Sequence, residues 1–178
     1  DWSSDVCSSD LGCSTAGAEP PTDRPRPAVP PLARRHWIFD LDGTLTVAVH
    51  DFPAMRRRLG IPAEADMIDW IDAQPPEAAR ALHRALDAIE HEYAALARPA
   101  DGVAELLGAL GTGGCRLGLL TRNTRAVAQH VLGTLHLQHY FAAADVIGRH
   151  EAPPKPRPDG VHLLLRRWQA AASDAVMV

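Results

Sequence analysis

Apolar and polar residues come in blocks along this chain, and the lengths of the blocks predict its elements. His36-Trp37-Ile38-Phe39 is a short apolar run that ends at Asp40, and Arg116 to Leu120 (RLGLL) is a second that ends at Thr121. Runs this short, closed by a polar group, read as buried strands that present polar side chains at their C-terminal ends. Helical spacing takes over between and after them. Asp101 is placed to cap a helix through Leu110, Asn123 or Thr124 to cap one through Leu132, and Pro158-Asp159 to open one reaching about Gln169. Ala143 to Ile147 and Ala175 to Val178 add two short strands. Strands alternating with helices predict an α/β fold, a Rossmann-like parallel sheet with helices on both faces.

One stretch interrupts that alternation. From Asp51 to Arg98 the apolar positions keep a helical period: Phe52, Met55 and Leu59, then Met67, Ile68 and Ile71, then Leu82, Ala85, Ile89, Tyr93 and Leu96. Pro53, Pro62 and Pro75-Pro76 divide the stretch into about three helices. Residues 51–98 are therefore expected to form a small α-helical cap inserted after the first strand, over the strand ends where open α/β sheets bind ligands. Residues 35–50 and 99–178 make up the core.

The first 34 residues follow neither pattern. Ala16 to Pro31 is proline-rich and reads as an extended, unstructured lead. Asp1 to Ser14 repeats a Ser-Ser-Asp unit and has the look of translated adapter sequence, so it is expected to be non-native. Two other readings of this segment are a lipoprotein-like box at Leu11-Gly12-Cys13-Ser14 and a Cys7–Cys13 disulfide; the basic and apolar regions of a signal peptide are missing.

Composition narrows the function. With 178 residues, 46% of them hydrophobic, the chain is long enough to bury roughly 70% of its unfolded surface without metal or disulfide staples. A net charge of -4 argues against a nucleic-acid partner. The most apolar stretch, Ala126 to Ala144, is broken by Gln129, His130, His136, Gln138 and His139, so no membrane span is expected and the chain reads as cytoplasmic. Among 18 Lys and Arg residues only Lys155 is lysine, in a chain rich in Ala, Arg and Pro. It is either a chance survivor or a position that arginine cannot fill.

The chemistry is concentrated in Asp40-Leu41-Asp42-Gly43-Thr44-Leu45-Thr46. Two carboxylates two residues apart at the end of a buried strand are costly unless a cation or a reactive role holds them there. A Mg²⁺ ion bound by one carboxylate, with the other serving as proton donor and acceptor, would resolve the cost, while Gly43 lets the chain turn tightly. The plain alternative is an Asp-x-Asp-Gly turn. Thr121, with the N–H groups of Arg122 and Asn123 behind it, either binds phosphoryl oxygens or merely caps the next helix.

The run WIFDLDGTLT, then LLTRN after a second strand, then a lysine before a Pro-Asp-Gly helix start, resembles the haloacid-dehalogenase-like hydrolase superfamily, and within it the small-capped phosphatases related to phosphoglycolate phosphatase. The resemblance covers about Arg35 to Val178. It implies that Asp40 is a nucleophile forming an aspartyl-phosphate, that Asp42 protonates the leaving oxygen, and that both contribute to a Mg²⁺ site. It further implies that Thr121 and Lys155 hold the phosphoryl group, assisted by Gly43, Thr44, Arg122 and Asn123. The implied reaction is hydrolysis of a small phosphorylated metabolite, with phosphosugar mutase chemistry as the neighbouring alternative. In the family, an acidic motif follows the strand that corresponds to Ala175–Val178. The chain stops at Val178, so it is expected to be a fragment, active or inert.

Three weaker features remain. Arg56-Arg57-Arg58 in the insertion either faces solvent or lends one arginine to a substrate anion. His136 and His139 are expected to decorate a helix end, and Cys115 has no partner for a zinc or redox pair. Oligomeric state is open.

Overall fold

The computed structural model describes residues 33–178; the proline-rich lead, its first fourteen residues and the Cys7–Cys13 pair lie outside the described residues. Four parallel strands, β1 (His36–Phe39), β2 (Arg116–Leu120), β3 (Val146–Ile147) and β4 (Ala175–Met177), form one sheet in the order β3-β2-β1-β4. Strand order reverses between β1 and β4, and open α/β sheets bind their ligands beside such a reversal. Asp40 follows β1 at that reversal, and its N–H donates to the Val178 carbonyl at 3.0 Å.

Side-chain alternation builds the two faces. Trp37 and Phe39 point to one side, into a core with Leu107 of α4 (Val103–Thr112) and Val127 and Val131 of α5 (Arg125–Thr134). Ile38 points to the other and meets Leu120, Ile147, and Leu164 and Trp168 of α6 (Asp159–Trp168). Helices thus cover both faces, the arrangement the alternation predicts. Gly118 makes room for this packing: a Cβ there would lie 2.6 Å from the Trp168 ring. No helix among the described residues is long and apolar enough to cross a membrane.

Three further helices, α1 (Phe52–Leu59), α2 (Met67–Asp72) and α3 (Pro76–Ala94), lie between β1 and α4. They bury Met55, Leu59, Ile68, Ile71, Leu86 and Ile89 among themselves, a second apolar core apart from the sheet's. Asp51 caps α1 by accepting from the Ala54 N–H at 2.8 Å, and Gly60, at φ 67°, closes it. The chain enters and leaves this helical segment side by side. Val47 N–H donates to the Arg98 carbonyl, and Ala100 N–H to that of Leu45, each at 2.9 Å.

Two expectations about elements need correction. Gly102 in the left-handed conformation, φ 74°, precedes α4, and no side chain caps that helix, so Asp101 does not fill the expected role. Strand β3 is only Val146–Ile147, because Ala143–Asp145 winds into a 3₁₀ turn that buries the Asp145 carboxylate against Arg116 Nε at 3.0 Å. Thr124 does cap α5, its hydroxyl accepting from the Val127 N–H. His136 and His139 are not on one helix face: His136 sits past α5 at φ 58° and His139 lies in the next 3₁₀ turn.

Candidate active site

The loop after β1 is tied down by its own backbone. The Leu41 carbonyl accepts from the N–H groups of Leu45 and Thr46, both at 3.0 Å, and Gly43 takes φ 77° to make the turn possible. The two carboxylates that result are partly covered, and each has its own partners. Lys155 Nζ lies 2.6 Å from Asp40 Oδ1. Asp42 accepts from Asn123 Nδ2 at 2.8 Å on one oxygen, and His50 Nδ1 is 3.6 Å from the other. Burial pushes the Asp42 carboxyl above the ordinary range; the neighbouring His50 opposes this and Asp40 adds to it.

Lys155 reaches Asp40 because its loop is braced. Gly148 N–H donates to the Glu151 side chain at 2.8 Å, and Arg149 N–H to the Asn123 carbonyl at 3.0 Å. Gly148 lets the loop after β3 lie directly on the loop after β2, since a Cβ there would come within 2.5 Å of the Arg125 nitrogen.

A cavity of about 310 Å³ opens over these groups. Asp40, Asp42, Asn123, Arg122 and Lys155 line it from the sheet side, and Phe52, Met55, Arg56, Asp66, Met67, Ile68, Leu86 and Glu90 from the helical segment. Five expected site residues therefore converge on one space. Thr121, Gly43 and Thr44 do not line it: Thr121 is buried and its hydroxyl accepts from the Asn123 N–H at 3.1 Å, shaping the loop that presents Arg122 and Asn123. The Arg122 guanidinium is engaged by Asp66 at the start of α2. Burial opposes it, but Arg122 and the N–H groups of Asp69 and Ile68 together bring the Asp66 carboxyl below the ordinary range.

Five residues of this region are not singled out by the sequence: His50, Asp66, Asp87, Glu90 and Arg149. His50 packs between Phe52 and Tyr93, with ring centroids 5.7 and 4.8 Å away, which holds its ring toward Asp42. Arg149 is buried and donates through Nη1 to both Glu90 oxygens, at 2.7 and 2.9 Å, and to the Arg122 carbonyl at 3.1 Å; through Nη2 it meets Asp87. One guanidinium thus joins α3 to the two loops behind the cavity. The available signal was on α3, where Glu90 falls four residues after Leu86 and four before Ala94, on the apolar stripe.

Burial pushes the Glu90 carboxyl up to about 7 against the downward pull of Arg149. Folded protein thus keeps a Glu90 proton that the unfolded chain has released above its ordinary pKa of 4.5. Stability from this group is complete below that value and is lost as pH rises through about 7. Urea unfolding between pH 5 and 8 is expected to show a decline on the order of 2 kcal/mol that Glu90→Gln removes. Parallel profiles for the two proteins would count against this.

Comparison with known proteins follows the same outline. The family model of haloacid dehalogenase-like hydrolases matches residues 35–178. A haloacid dehalogenase-like hydrolase domain-containing protein of Arabidopsis thaliana is 28% identical over 155 residues, 81% of this chain and 62% of its own length. This chain therefore spans less than two thirds of that relative. A hydrolase from Pseudomonas syringae superposes with a TM-score of 0.66 at 21% identity, over 81% of this chain and 74% of that one. A predicted phosphoglycolate phosphatase from Haemophilus somnus gives 0.59 at 19%, over 82% and 76%. At such identities the likeness is one of fold.

Proposed function

The chain belongs to the haloacid dehalogenase-like hydrolases, and from that premise we propose that it is a Mg²⁺-dependent phosphatase of small phosphomonoesters acting through an aspartyl-phosphate. The observation that carries this reading is the pair of carboxylates at the C-terminal end of β1, the first held 2.6 Å from the single lysine and the second hydrogen-bonded to Asn123. A partly covered carboxylate pair with separate partners divides the labour between attack and proton transfer.

Asp40 attacks phosphorus while the bond to the leaving oxygen breaks, and Asp42 gives that oxygen its proton. Asp42 then takes a proton from water as the water oxygen attacks phosphorus, releasing inorganic phosphate and restoring the Asp40 carboxylate. Lys155 steadies both Asp40 and the phosphoryl oxygens as a compact charge, a role for which a planar guanidinium has the wrong shape. Asn123 keeps Asp42 oriented, and the Arg122 N–H, next after Thr121, supplies a donor to the phosphoryl group.

The donor set suits Mg²⁺. The Asp42 carbonyl accepts no main-chain hydrogen bond among the described residues, which leaves it free as a hard oxygen ligand beside the Asp40 carboxylate. No cluster of three His, Cys, Asp or Glu occurs among the described residues, so these two oxygens would share the ion with water and substrate phosphate. When bound, the ion shields the phosphate's negative charge from the attacking carboxylate. Residues 51–98 act as a cap over the core formed by 35–50 and 99–178, excluding water from the reacting groups.

The test is phosphate release from phenyl phosphate by the 178-residue chain, with and without Mg²⁺, together with acid quenching after incubation with ³²P-labelled substrate. Mg²⁺-dependent release and a hydroxylamine-labile protein label are expected. Absence of release from a broad phosphomonoester panel in Mg²⁺ would overturn the assignment.

A further inference from the structure

Beside Asp66 and Glu90, each held by an arginine, the helical segment contributes to the cavity an apolar set and one further arginine, which differ from what a very small polar substrate needs. Phe52, Met55, Met67, Ile68 and Leu86 give it an apolar wall, and Phe52 is 48% exposed although large and aromatic. The basic contributor of the helical segment is Arg56. Among the three consecutive arginines of α1, successive positions are turned about 100° from one another, so they cannot share a surface. Arg58 lies outside, paired with Glu92 through two hydrogen bonds at 2.7 and 2.8 Å, and Arg57 is exposed. Arg56 alone of the three lines the cavity.

Its state there is unusual. Every carboxylate on the cavity wall has a basic neighbour of its own: Lys155 for Asp40, His50 for Asp42, Arg122 for Asp66 and Arg149 for Glu90. Arg56 has no carboxylate partner among the described residues. Its Nε donates to the Ala65 carbonyl at 3.2 Å, which fixes the plane of the guanidinium, while both terminal nitrogens have no acceptor among the described residues. A fixed guanidinium with open donors, beside an apolar wall, is a receptor for a planar anion carried on an apolar body.

We infer that the substrate is a phosphomonoester of an apolar alcohol, aromatic or several carbons long, bearing a carboxylate or equivalent anion that Arg56 receives. This rests on the phosphatase reading of the Asp40 site, which supplies the phosphate end. A two-carbon phosphoglycolate body would leave the Met67 and Ile68 wall wet, whereas each methylene placed on it tightens binding by roughly fourfold. The two methionines let that wall adjust to bodies of different outline.

Three substrates isolate the parts: phosphoglycolate has the anion without the body, phenyl phosphate the body without the anion, and 4-carboxyphenyl phosphate both. With the 178-residue chain in Mg²⁺, kcat/KM is expected to be highest for 4-carboxyphenyl phosphate, roughly 10- to 100-fold above phenyl phosphate. Arg56→Met keeps the stem's apolar length and is expected to bring that ratio to about one. A higher kcat/KM for phosphoglycolate, or an Arg56→Met ratio equal to the wild-type one, overturns the inference. Calorimetric binding of benzylphosphonate and 4-carboxybenzylphosphonate separates it from the reading it rests on. Should no ester be hydrolysed, the phosphatase reading falls, and the phosphonates still decide: tighter binding of the carboxylated one by wild type but not by Arg56→Met supports the Arg56 receptor, and equal or absent binding ends it.

Discussion

Asp40→Asn is expected to leave phosphomonoester hydrolysis roughly 10⁴-fold or more below the wild-type rate and to eliminate the covalent label altogether. A carboxamide is a poor nucleophile at phosphorus, and losing a covalent nucleophile is among the largest single-residue losses in catalysis. The substitution also strips Lys155 of the charge 2.6 Å from it, so the ammonium no longer has its carboxylate anchor. Because Asp40 is only half-buried and its main-chain N–H still donates to Val178, the fold should persist, with an unchanged far-ultraviolet spectrum and a small shift in unfolding midpoint. Phosphate release is read by malachite green and the label by acid precipitation. Hydrolysis within about tenfold of wild type, in protein shown to be folded, would remove Asp40 from the mechanism and with it the aspartyl-phosphate.

Arg149→Met is expected to cost about 3–5 kcal/mol of stability, the range seen when one partner of a buried ion pair is removed. The Arg149 side chain is 2% exposed, and it serves Glu90, Asp87 and the Arg122 carbonyl together. A methionine fills much of the space and answers none of these acceptors, so the penalty comes from unpaired carboxylates more than from lost packing. The pH dependence identifies the cause. At pH 5 Glu90 keeps its proton and tolerates the loss of Arg149; toward pH 8 the wild-type carboxyl ionises beside the guanidinium, whereas the variant's, without that pull, must hold its proton or stand unpaired, so the penalty grows with pH. Adding Glu90→Gln to Arg149→Met should recover part of the stability, and the coupling in that double-mutant cycle measures the pair. A loss under 1 kcal/mol, or one that does not change from pH 5 to pH 8, would show that the guanidinium contributes little.

What the sequence revealed and what it concealed divide along physical lines. Strands β1 and β2 were legible because each is a short apolar run buried on both faces, and the polar residue that closes it, Asp40 or Thr121, marks where the chain leaves the sheet. The first residues of the expected strand at Ala143 form a 3₁₀ turn instead, because Asp145 turns inward to meet Arg116, a contact 29 residues away that no local pattern announces. Asp101 has the chemistry of a cap, but the left-handed Gly102 after it takes the capping position. Asp40, Asp42 and Lys155 were found through motif order, and they do lie within one cavity wall. The Arg149 junction was hidden for a different reason: Glu90 looks like an ordinary charge on a helix until its spacing from Leu86 and Ala94 is counted, and Arg149 is 59 residues further on. The arginine triplet shows the limit most plainly. Sequence alone makes its three members equivalent, and helical geometry sends one to Glu92, one to solvent and one to the cavity.

The antiparallel bridge between Thr46 and Pro99, flanked by the Val47–Arg98 and Leu45–Ala100 hydrogen bonds, also bears on how the molecule is put together. Because the chain departs and returns at neighbouring points, the three helices between them hang on what is, for the sheet, a single hairpin stem. Loop-closure entropy grows only slowly with length, so the sheet side loses little by housing some fifty residues there in place of a short turn. Such a stem is a natural graft point. Helices of another outline can be exchanged on it, or pared back to a turn, while β1 keeps its neighbours and Asp40 its place at the C-terminal end of that strand.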